Sequence, residues 1–362
     1  MTRAYLHGCN YPWSTDGRTV YYGLDFGANV WGSHLGVSTR RAAIAADFAA
    51  MAALGFTTVR WFAFCDGRSG IVYDDRGLPA GLDAYVFDDL DSALEIAREH
   101  GIRVVLVLLD HRWMFEGLVD AVPDPVTGAV LQACLPDGRA NVLLTHAGRV
   151  ALIERVLAPV VTRYASAGAR PDLAGQVAAF ELMNEPDFVI EEWERDLSSR
   201  VRRPLPFEAM AWLVSTFSDL VHARSSALAT LAAARVRNLW AWDDPDLGLD
   251  VVQVHSYPDT RRAIDDDVYG RHASTLGVRR PVLLGEFPAN GPEQHPAGAC
   301  PPATTLDDYL RFTVEQGYAG AWPWSFSGTD AYGRLPEGPL RRFAERHPHL
   351  VNPRCRFLPP PP

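Results

Sequence analysis

The chain has 362 residues, of which 48% are hydrophobic and 22% are charged, a composition typical of globular proteins. Its net charge of −10 at pH 7 argues against a nucleic-acid partner, because a phosphate backbone binds to a basic surface. No run of about 18 apolar residues occurs, so we expect no membrane partner.

The cysteines and the N-terminus indicate the cellular compartment. Five cysteines are widely spaced and form no C-x-x-C pair, so neither a zinc site nor a disulfide framework is expected. The first residues, MTRAYLHGCNYPW, lack the apolar core of a secretory signal. We therefore predict reduced thiols and a cytoplasmic location.

Strand and helix patterns alternate along the chain. Short apolar or β-branched runs predict eight strands, at Ala4–Tyr11, Phe56–Phe64, Arg103–Leu109, Val177–Met183, Leu228–Ala233, Val251–Val254, Pro281–Pro288 and Gly320–Trp324. Apolar residues at helical spacing predict seven helices, at Ser38 or Thr39 to Leu54, Val86–His100, Thr145–Tyr164, Pro206 or Phe207 to Ser226, Asp267–Leu276, Thr305–Gln316 and Pro339–His347.

Alternation of this kind is typical of a parallel sheet, and eight strands favour a closed (β/α)8 TIM barrel over a doubly wound sheet. We expect one α/β domain over residues 1–350 and a Pro-rich tail over residues 351–362. Long βα loops are expected after strands one, three and four. The chain contains neither a G-x-G-x-x-G after a strand nor a P-loop, so no nucleotide cofactor is expected.

Two of the predicted strands end in a glutamate. Val177–Met183 runs into Asn184-Glu185-Pro186, where proline stops the strand, and Pro281–Pro288 contains Glu286. Active sites of such barrels lie at the C-terminal ends of the strands. Because the barrel interior is narrow, we expect the two carboxyls to lie about 5–5.5 Å apart, as in a retaining glycosidase.

Further polar and aromatic residues follow the predicted strand ends. They comprise Arg60, Asp110, His111, Asn184, His255, Tyr257 and Trp324. Arg60 and Tyr257 would keep Glu286 ionised as nucleophile, whereas apolar walls would keep Glu185 protonated as acid. Asn184 would bind a sugar hydroxyl.

Several of these residues have a second interpretation. Arg60 would also neutralise Glu181, which points into the same interior. His111 and His255 would be structural histidines, and either Asp110 or His111 would face the site. Trp324 is expected as a sugar-stacking floor, with Trp31 and Trp113 at the rim and Trp61 and Trp322 in the core.

These elements together resemble clan A glycoside hydrolases, and most of all glycoside hydrolase family 5, the cellulase and mannanase family. The resemblance consists of Arg in strand two, N-E-P after strand four, H-x-Y after strand six, G-E in strand seven and W at strand eight. It implies a (β/α)8 barrel and double displacement with retention, with Glu185 as acid/base and Glu286 as nucleophile. Arg60, Asn184, His255 and Tyr257 would orient them, with neither metal nor cofactor.

We therefore expect a retaining β-glycosidase that cleaves short gluco- or manno-configured oligosaccharides or glycoconjugates from one end. The alternatives are an endo-acting mannanase or cellulase, an inverting enzyme with wider carboxylate spacing, and a barrel that only binds carbohydrate. A metal-dependent hydrolase needs clustered ligands, and His7, His111 and His255 are isolated in the sequence. The oligomeric state is left open.

Overall fold

Eight parallel strands close into a barrel in the computed structural model, which describes residues 5–14, 25–28, 33–115, 119–123, 130–134, 139–257, 267–289, 305–328 and 335–358. We number the barrel strands in chain order: β1 (Leu6–Asn10), β2 (Thr58–Phe62), β3 (Arg103–Asp110), β4 (Val177–Asn184), β5 (Leu228–Ala233), β6 (Val251–His255), β7 (Val282–Glu286) and β8 (Gly320–Ala321). Each strand pairs with its sequence neighbours, and β8 closes the ring onto β1. The prediction of a (β/α)8 barrel is confirmed.

The strands are apolar because both of their faces are covered. Every residue of β4 is buried, and in β3 Arg103 alone is exposed. Inside the barrel, the layer near the N-terminal ends of the strands is apolar and includes Val105, Leu283 and the fully buried Trp322. The layer above it, toward the C-terminal ends of the strands, is polar. This polar part of the barrel interior is continuous with the candidate site.

Nine α-helices lie in the described part of the chain. They are α1 (Arg41–Ala53), α2 (Val86–Glu99), α3 (Ala140–Leu144), α4 (His146–Leu152), α5 (Ala158–Arg163), α6 (Phe207–Arg224), α7 (Leu239–Trp242), α8 (Leu306–Glu315) and α9 (Glu337–Arg346). The sequence predicted one helix from Thr145 to Tyr164, and here a π-helical segment, Ile153–Leu157, separates α4 from α5. Pro159 lies in the first turn of α5, and it cannot donate a backbone hydrogen bond to the preceding turn.

One predicted helix is wrong. Between Asp267 and Leu276 the structure contains only a short 3₁₀ turn, Ala273–Thr275. Gly270 lies at φ +76° and the side chain of His272 accepts a hydrogen bond from the turn, so the segment cannot continue as a helix.

Two antiparallel hairpins lie outside the barrel, where the sequence indicated loops. The first joins Ile71–Tyr73 to Pro79–Leu82 after β2, and the second joins Val119–Pro123 to Val130–Cys134 after β3. Both add backbone structure at the C-terminal side of the barrel. Part of the long loop after β3 is therefore ordered as a hairpin.

The segment after α9 packs against the barrel. Asn352 is 1% exposed, and its side-chain amide donates to the carbonyl oxygens of Phe56 and His100, at 3.0 Å each. The predicted domain boundary at residue 350 thus falls within a packed segment, and the final prolines lie outside the described residues. Among the helices described, none is long and apolar enough to cross a membrane.

Candidate active site

The two strand-end glutamates face each other. Glu286 is the last residue of β7, and Glu185 follows β4 directly in the left-handed region, at φ 50° and ψ 52°. A non-glycine residue is uncommon in this region, and here the Glu185 N–H donates to the carbonyl oxygen of Ala232 on β5, at 2.9 Å. A carboxylate oxygen of each glutamate and a ring nitrogen of His255 all lie within 4.8 Å of one another. This spacing agrees with the close separation predicted from the sequence.

Arg60 connects the nucleophile candidate to the barrel interior. Its fully buried guanidinium donates to Glu286 at 2.6 Å and to both oxygens of Glu181 at 2.6 and 2.8 Å. It also donates to the amide oxygens of Asn184 and Asn10, at 2.7 and 3.0 Å. One guanidinium therefore contacts both carboxylates, pairing with Glu181 and donating to Glu286, and its role in keeping Glu286 ionised stays a prediction.

Asn184 is held at both ends of its side chain. Its oxygen accepts from Arg60, and its NH₂ donates to Asp110 at 2.8 Å. Asp110 in turn accepts from the backbone N–H of Arg112, at 2.9 Å. The second N–H of the Asn184 amide is not used by these contacts and can donate to a sugar hydroxyl. That hydrogen bond stays a prediction.

His255 and Tyr257 approach the glutamates from the end of β6. His255 is 1% exposed, and its Nδ1 lies 2.8 Å from Glu185 and 3.5 Å from Glu286. Burial lowers the pKa of His255 to about 4, so the ring is neutral at pH 7. The Tyr257 hydroxyl donates to Glu286 at 3.1 Å.

His111 and His255 approach different carboxylate oxygens of Glu185. Its Nδ1 is 3.7 Å from a Glu185 oxygen and 3.5 Å from Asp110. The ring packs edge-on against Phe115 and Phe188, with centroid distances of 5.4 and 4.9 Å. Both residues at the end of β3 thus reach the site, Asp110 through Asn184 and His111 beside Glu185.

The predicted tryptophans have different positions. Trp324 is partly buried at the site and packs edge-on against Phe62 and Trp13, at 6.2 and 6.0 Å. The rim position predicted for Trp113 is wrong, because its side chain is 1% exposed and donates to the carbonyl oxygen of Arg139. Its ring is buried against Gly67, where an added Cβ would lie 2.7 Å away. Trp31 lies outside the described residues.

The surroundings of the two carboxyls differ in charge. Burial raises the pKa of Glu185, and no arginine or lysine among the described residues lies within 4.0 Å of its carboxylate. Burial also raises the pKa of Glu286, but the Arg60 guanidinium at 2.6 Å opposes that rise. Glu185 is therefore better suited to hold a proton and Glu286 to release one.

The same three groups, Glu185, His255 and Glu286, also form a conceivable metal-ligand set. His255 is therefore not isolated in space, although it is isolated in the sequence. A divalent cation there would lie beside the Arg60 guanidinium, which already pairs with Glu286 at 2.6 Å. This donor set does not fit a metal, and a metal-free reaction stays a prediction.

Three residues near the two glutamates were not predicted from the sequence. Asn10 donates to the carbonyl oxygens of Gly285 and Trp322, both at 2.9 Å, and accepts from Arg60. Gln253 donates to Glu181 at 2.8 Å. Arg235, just after β5, lies close enough for its charge to lower the pKa of Glu185. Only Gln253 could have been found from the sequence. It precedes His255 by two residues on β6, and residues two apart in a strand point to the same face.

The chain resembles a known mannosidase along most of its length. No protein-family model matches the chain. A curated mannan endo-1,4-beta-mannosidase from Mytilus edulis is 21% identical over 352 aligned residues, which cover 89% of this chain and 83% of the relative. The resemblance to clan A glycoside hydrolases that the sequence motifs predicted is supported by this relative.

Solved structures share the barrel. An endo-1,4-beta-mannanase from Eisenia fetida superposes with a TM-score of 0.69 at 18% identity, covering 94% of this chain and 90% of its own. A beta-1,4-D-mannanase from Cryptopygus antarcticus gives a TM-score of 0.71 at 17% identity, with coverages of 94% and 89%. These likenesses confirm the (β/α)8 fold.

Proposed function

We propose that the chain is a retaining glycoside hydrolase that cleaves β-linked mannosides by double displacement. One observation carries this proposal, namely that oxygens of Glu185 and Glu286 lie within 4.8 Å, while Arg60 contacts Glu286 and not Glu185. An inverting enzyme needs a wider separation of the two carboxylates, so that a water fits between one carboxylate and the anomeric carbon. The spacing here leaves no room for that water.

In the first step, a Glu286 oxygen attacks the anomeric carbon as the glycosidic C–O bond breaks. The proton of Glu185 moves to the departing oxygen, so the leaving group departs neutral and Glu185 becomes a carboxylate. Arg60 and the Tyr257 hydroxyl, each in contact with Glu286, orient the attacking oxygen. The covalent glycosyl-enzyme is the product of this step.

In the second step, water replaces the leaving group. Glu185 accepts a proton from that water, whose oxygen bonds to the anomeric carbon as the bond to Glu286 breaks. The neutral ring of His255, 2.8 Å from Glu185, holds this carboxyl in one position without competing for the proton at pH 7. Two inversions give net retention.

The substrate class rests on the relatives, which are named as mannanases. The expectation of short substrates cut from one end relied on the loops after β1 and β3, both of which lie partly outside the described residues. End-on cleavage of oligosaccharides in a cytoplasmic setting therefore stays part of the proposal.

Hydrolysis assays with matched variants test it. The wild type should release sugar from β-1,4-mannotetraose and from aryl β-mannosides, and should be less active on the corresponding β-glucosides. Glu185→Ala should lose activity on the oligosaccharide, and Glu286→Ala on both kinds of substrate. Glu315→Ala, in the exposed part of α8, is the control and should match the wild type. Binding of mannotetraose without turnover by the wild type would favour the carbohydrate-binding alternative.

A further inference from the structure

An aromatic wall stands beside the acid/base glutamate. His111 lies between Phe115 and Phe188 with its Nδ1 3.7 Å from Glu185. Because Glu185 protonates the departing oxygen, this wall lies on the side of the leaving group. What the wall presents to solvent therefore decides which leaving groups the site accepts.

Two arginines cover the wall. The guanidinium carbon of Arg235 lies 5.7 Å from the ring centroid of Phe188, and that of Arg200 lies 5.8 Å from the centroid of Phe115. Both heads reach solvent, since Arg200 is exposed and the Arg235 side chain is 41% exposed. Stacking on a ring limits the orientations of each guanidinium, so its donors are partly arranged before a ligand arrives.

Neither arginine has a close carboxylate partner of its own among the described residues. Within the described residues no carboxylate pairs with Arg200. Arg235 reaches one oxygen of Asp196 at 3.8 Å, but Asp196 is contacted more closely by Arg237 and also accepts from Asn238. Both guanidinium groups thus keep N–H donors for an anionic ligand, although the chain as a whole carries −10.

We propose that Arg200 and Arg235 form a leaving-group subsite for a carboxylate, carried by the sugar or aglycone that departs. This inference rests on the proposed function, because it assigns the substrate class on the leaving-group side of the same site. The planar fork of each guanidinium matches a carboxylate in geometry as well as in charge. The substrate class is accordingly an acidic β-mannoside or glycoconjugate.

Two matched substrate pairs test the subsite and separate the sources of the carboxylate. The aryl pair is 3-carboxyphenyl and 3-carbamoylphenyl β-mannoside, and the sugar pair is β-1,4-mannotriose oxidised to the aldonate or reduced to the alditol. The quantity measured is kcat/KM of the acidic member divided by that of the neutral member. Comparing this ratio between wild type and variants cancels the intrinsic reactivity of each leaving group.

In the double variant Arg200→Gln/Arg235→Gln, the ratio should fall about three- to tenfold, as expected for two solvent-exposed charge pairs. Any effect of Arg235 on Glu185 changes both members of a pair and cancels in the ratio, and the urea unfolding midpoint of the variant checks that it is folded. Rising salt should reduce the wild-type ratio toward that of the variant. A fall with the aryl pair alone would assign the carboxylate to an aglycone, and with the sugar pair alone to a sugar acid.

The control is a second pair of ring-stacked arginines. Arg341 and Arg356 both lie over Phe357 in the packed tail, at 4.5 and 5.1 Å, away from the strand C-termini. Arg341→Gln/Arg356→Gln changes the net charge equally and should leave the ratio unchanged. An equal fall in this control would reduce the effect to overall charge and overturn the subsite.

Failure of the proposed function gives a different result. If the wild type hydrolyses none of the four compounds, the hydrolase proposal fails, and calorimetric binding of mannobionate against mannobiitol still tests the arginines. A preference for mannobionate that is lost in the double variant Arg200→Gln/Arg235→Gln would uphold the subsite. If the ratio of the acidic to the neutral compound is the same in the wild type and the double variant, whether measured by rate or by binding, the proposed carboxylate subsite is overturned.

Discussion

Replacing Arg60 with lysine tests how the barrel interior holds the nucleophile. The substitution keeps one positive charge and removes the planar fork. In the structure the guanidinium donates five hydrogen bonds, to Glu181, Glu286, Asn184 and Asn10. An ammonium has three donors at a single atom, so at least two of the five bonds are lost.

The size of the effect follows from that count. Hydrogen bonds to charged groups contribute about 1.5 kcal/mol or more each, so Arg60→Lys should lower the free energy of unfolding by about 3 kcal/mol. Loss of the contact at 2.6 Å frees the Glu286 carboxyl to move. A displacement of about 1 Å at a reacting group costs on the order of 100-fold in kcat/KM.

Urea unfolding and steady-state kinetics on an aryl β-mannoside measure the two effects. The control is Arg41→Lys, where the arginine is 40% exposed and pairs with Glu95 at 2.9 Å, and it should change stability by less than about 0.5 kcal/mol. If Arg60→Lys is as stable and active as Arg41→Lys, the buried network does not position the nucleophile.

Four further results are expected. Glu185→Gln should flatten the basic limb of the kcat/KM profile for substrates with good leaving groups, and an unchanged limb would move the acid role to Asp110. Burial raises the pKa of Asp187 from 3.8 to about 7, so the stability that its proton confers is complete below pH 3.8 and is lost as pH rises through 7. Urea unfolding at a series of pH values should show a loss of roughly 4 kcal/mol in the free energy of unfolding, and Asp187→Asn should abolish this dependence on pH. Gly8→Ala places a Cβ 2.4 Å from the Thr58 carbonyl oxygen and should cost about 1–3 kcal/mol, whereas Gly81→Ala meets nothing within 4 Å and should be near neutral. Soluble mannan should lose viscosity slowly relative to sugar release, and a rapid early drop would contradict cleavage from the ends.

The positions of the two candidate catalytic glutamates could be predicted from the sequence because each lies at the end of an apolar strand. In a closed parallel barrel all strand C-termini meet at one face, so Glu185 and Glu286 were expected to approach without any knowledge of their contacts. Arg60 and Tyr257 followed from the same logic, since each leaves a predicted strand toward that face.

The network beneath them could not be predicted, because its contacts join distant parts of the chain. Arg60 and Glu286 are 226 positions apart, and Asn10 binds a carbonyl 312 positions away. A single polar residue within a strand does not reveal its partner across the barrel. The burial of Trp113 likewise depends on Gly67, which leaves space for the ring only after folding.

The stereochemistry of hydrolysis tests the central claim most directly. Time-resolved proton NMR of an aryl β-mannoside should show β-mannose as the first product of the wild type, before mutarotation. Glu286→Ala with added azide should instead yield the α-mannosyl azide, because the anion then attacks from the vacated side. Initial release of α-mannose by the wild type would contradict double displacement through Glu286.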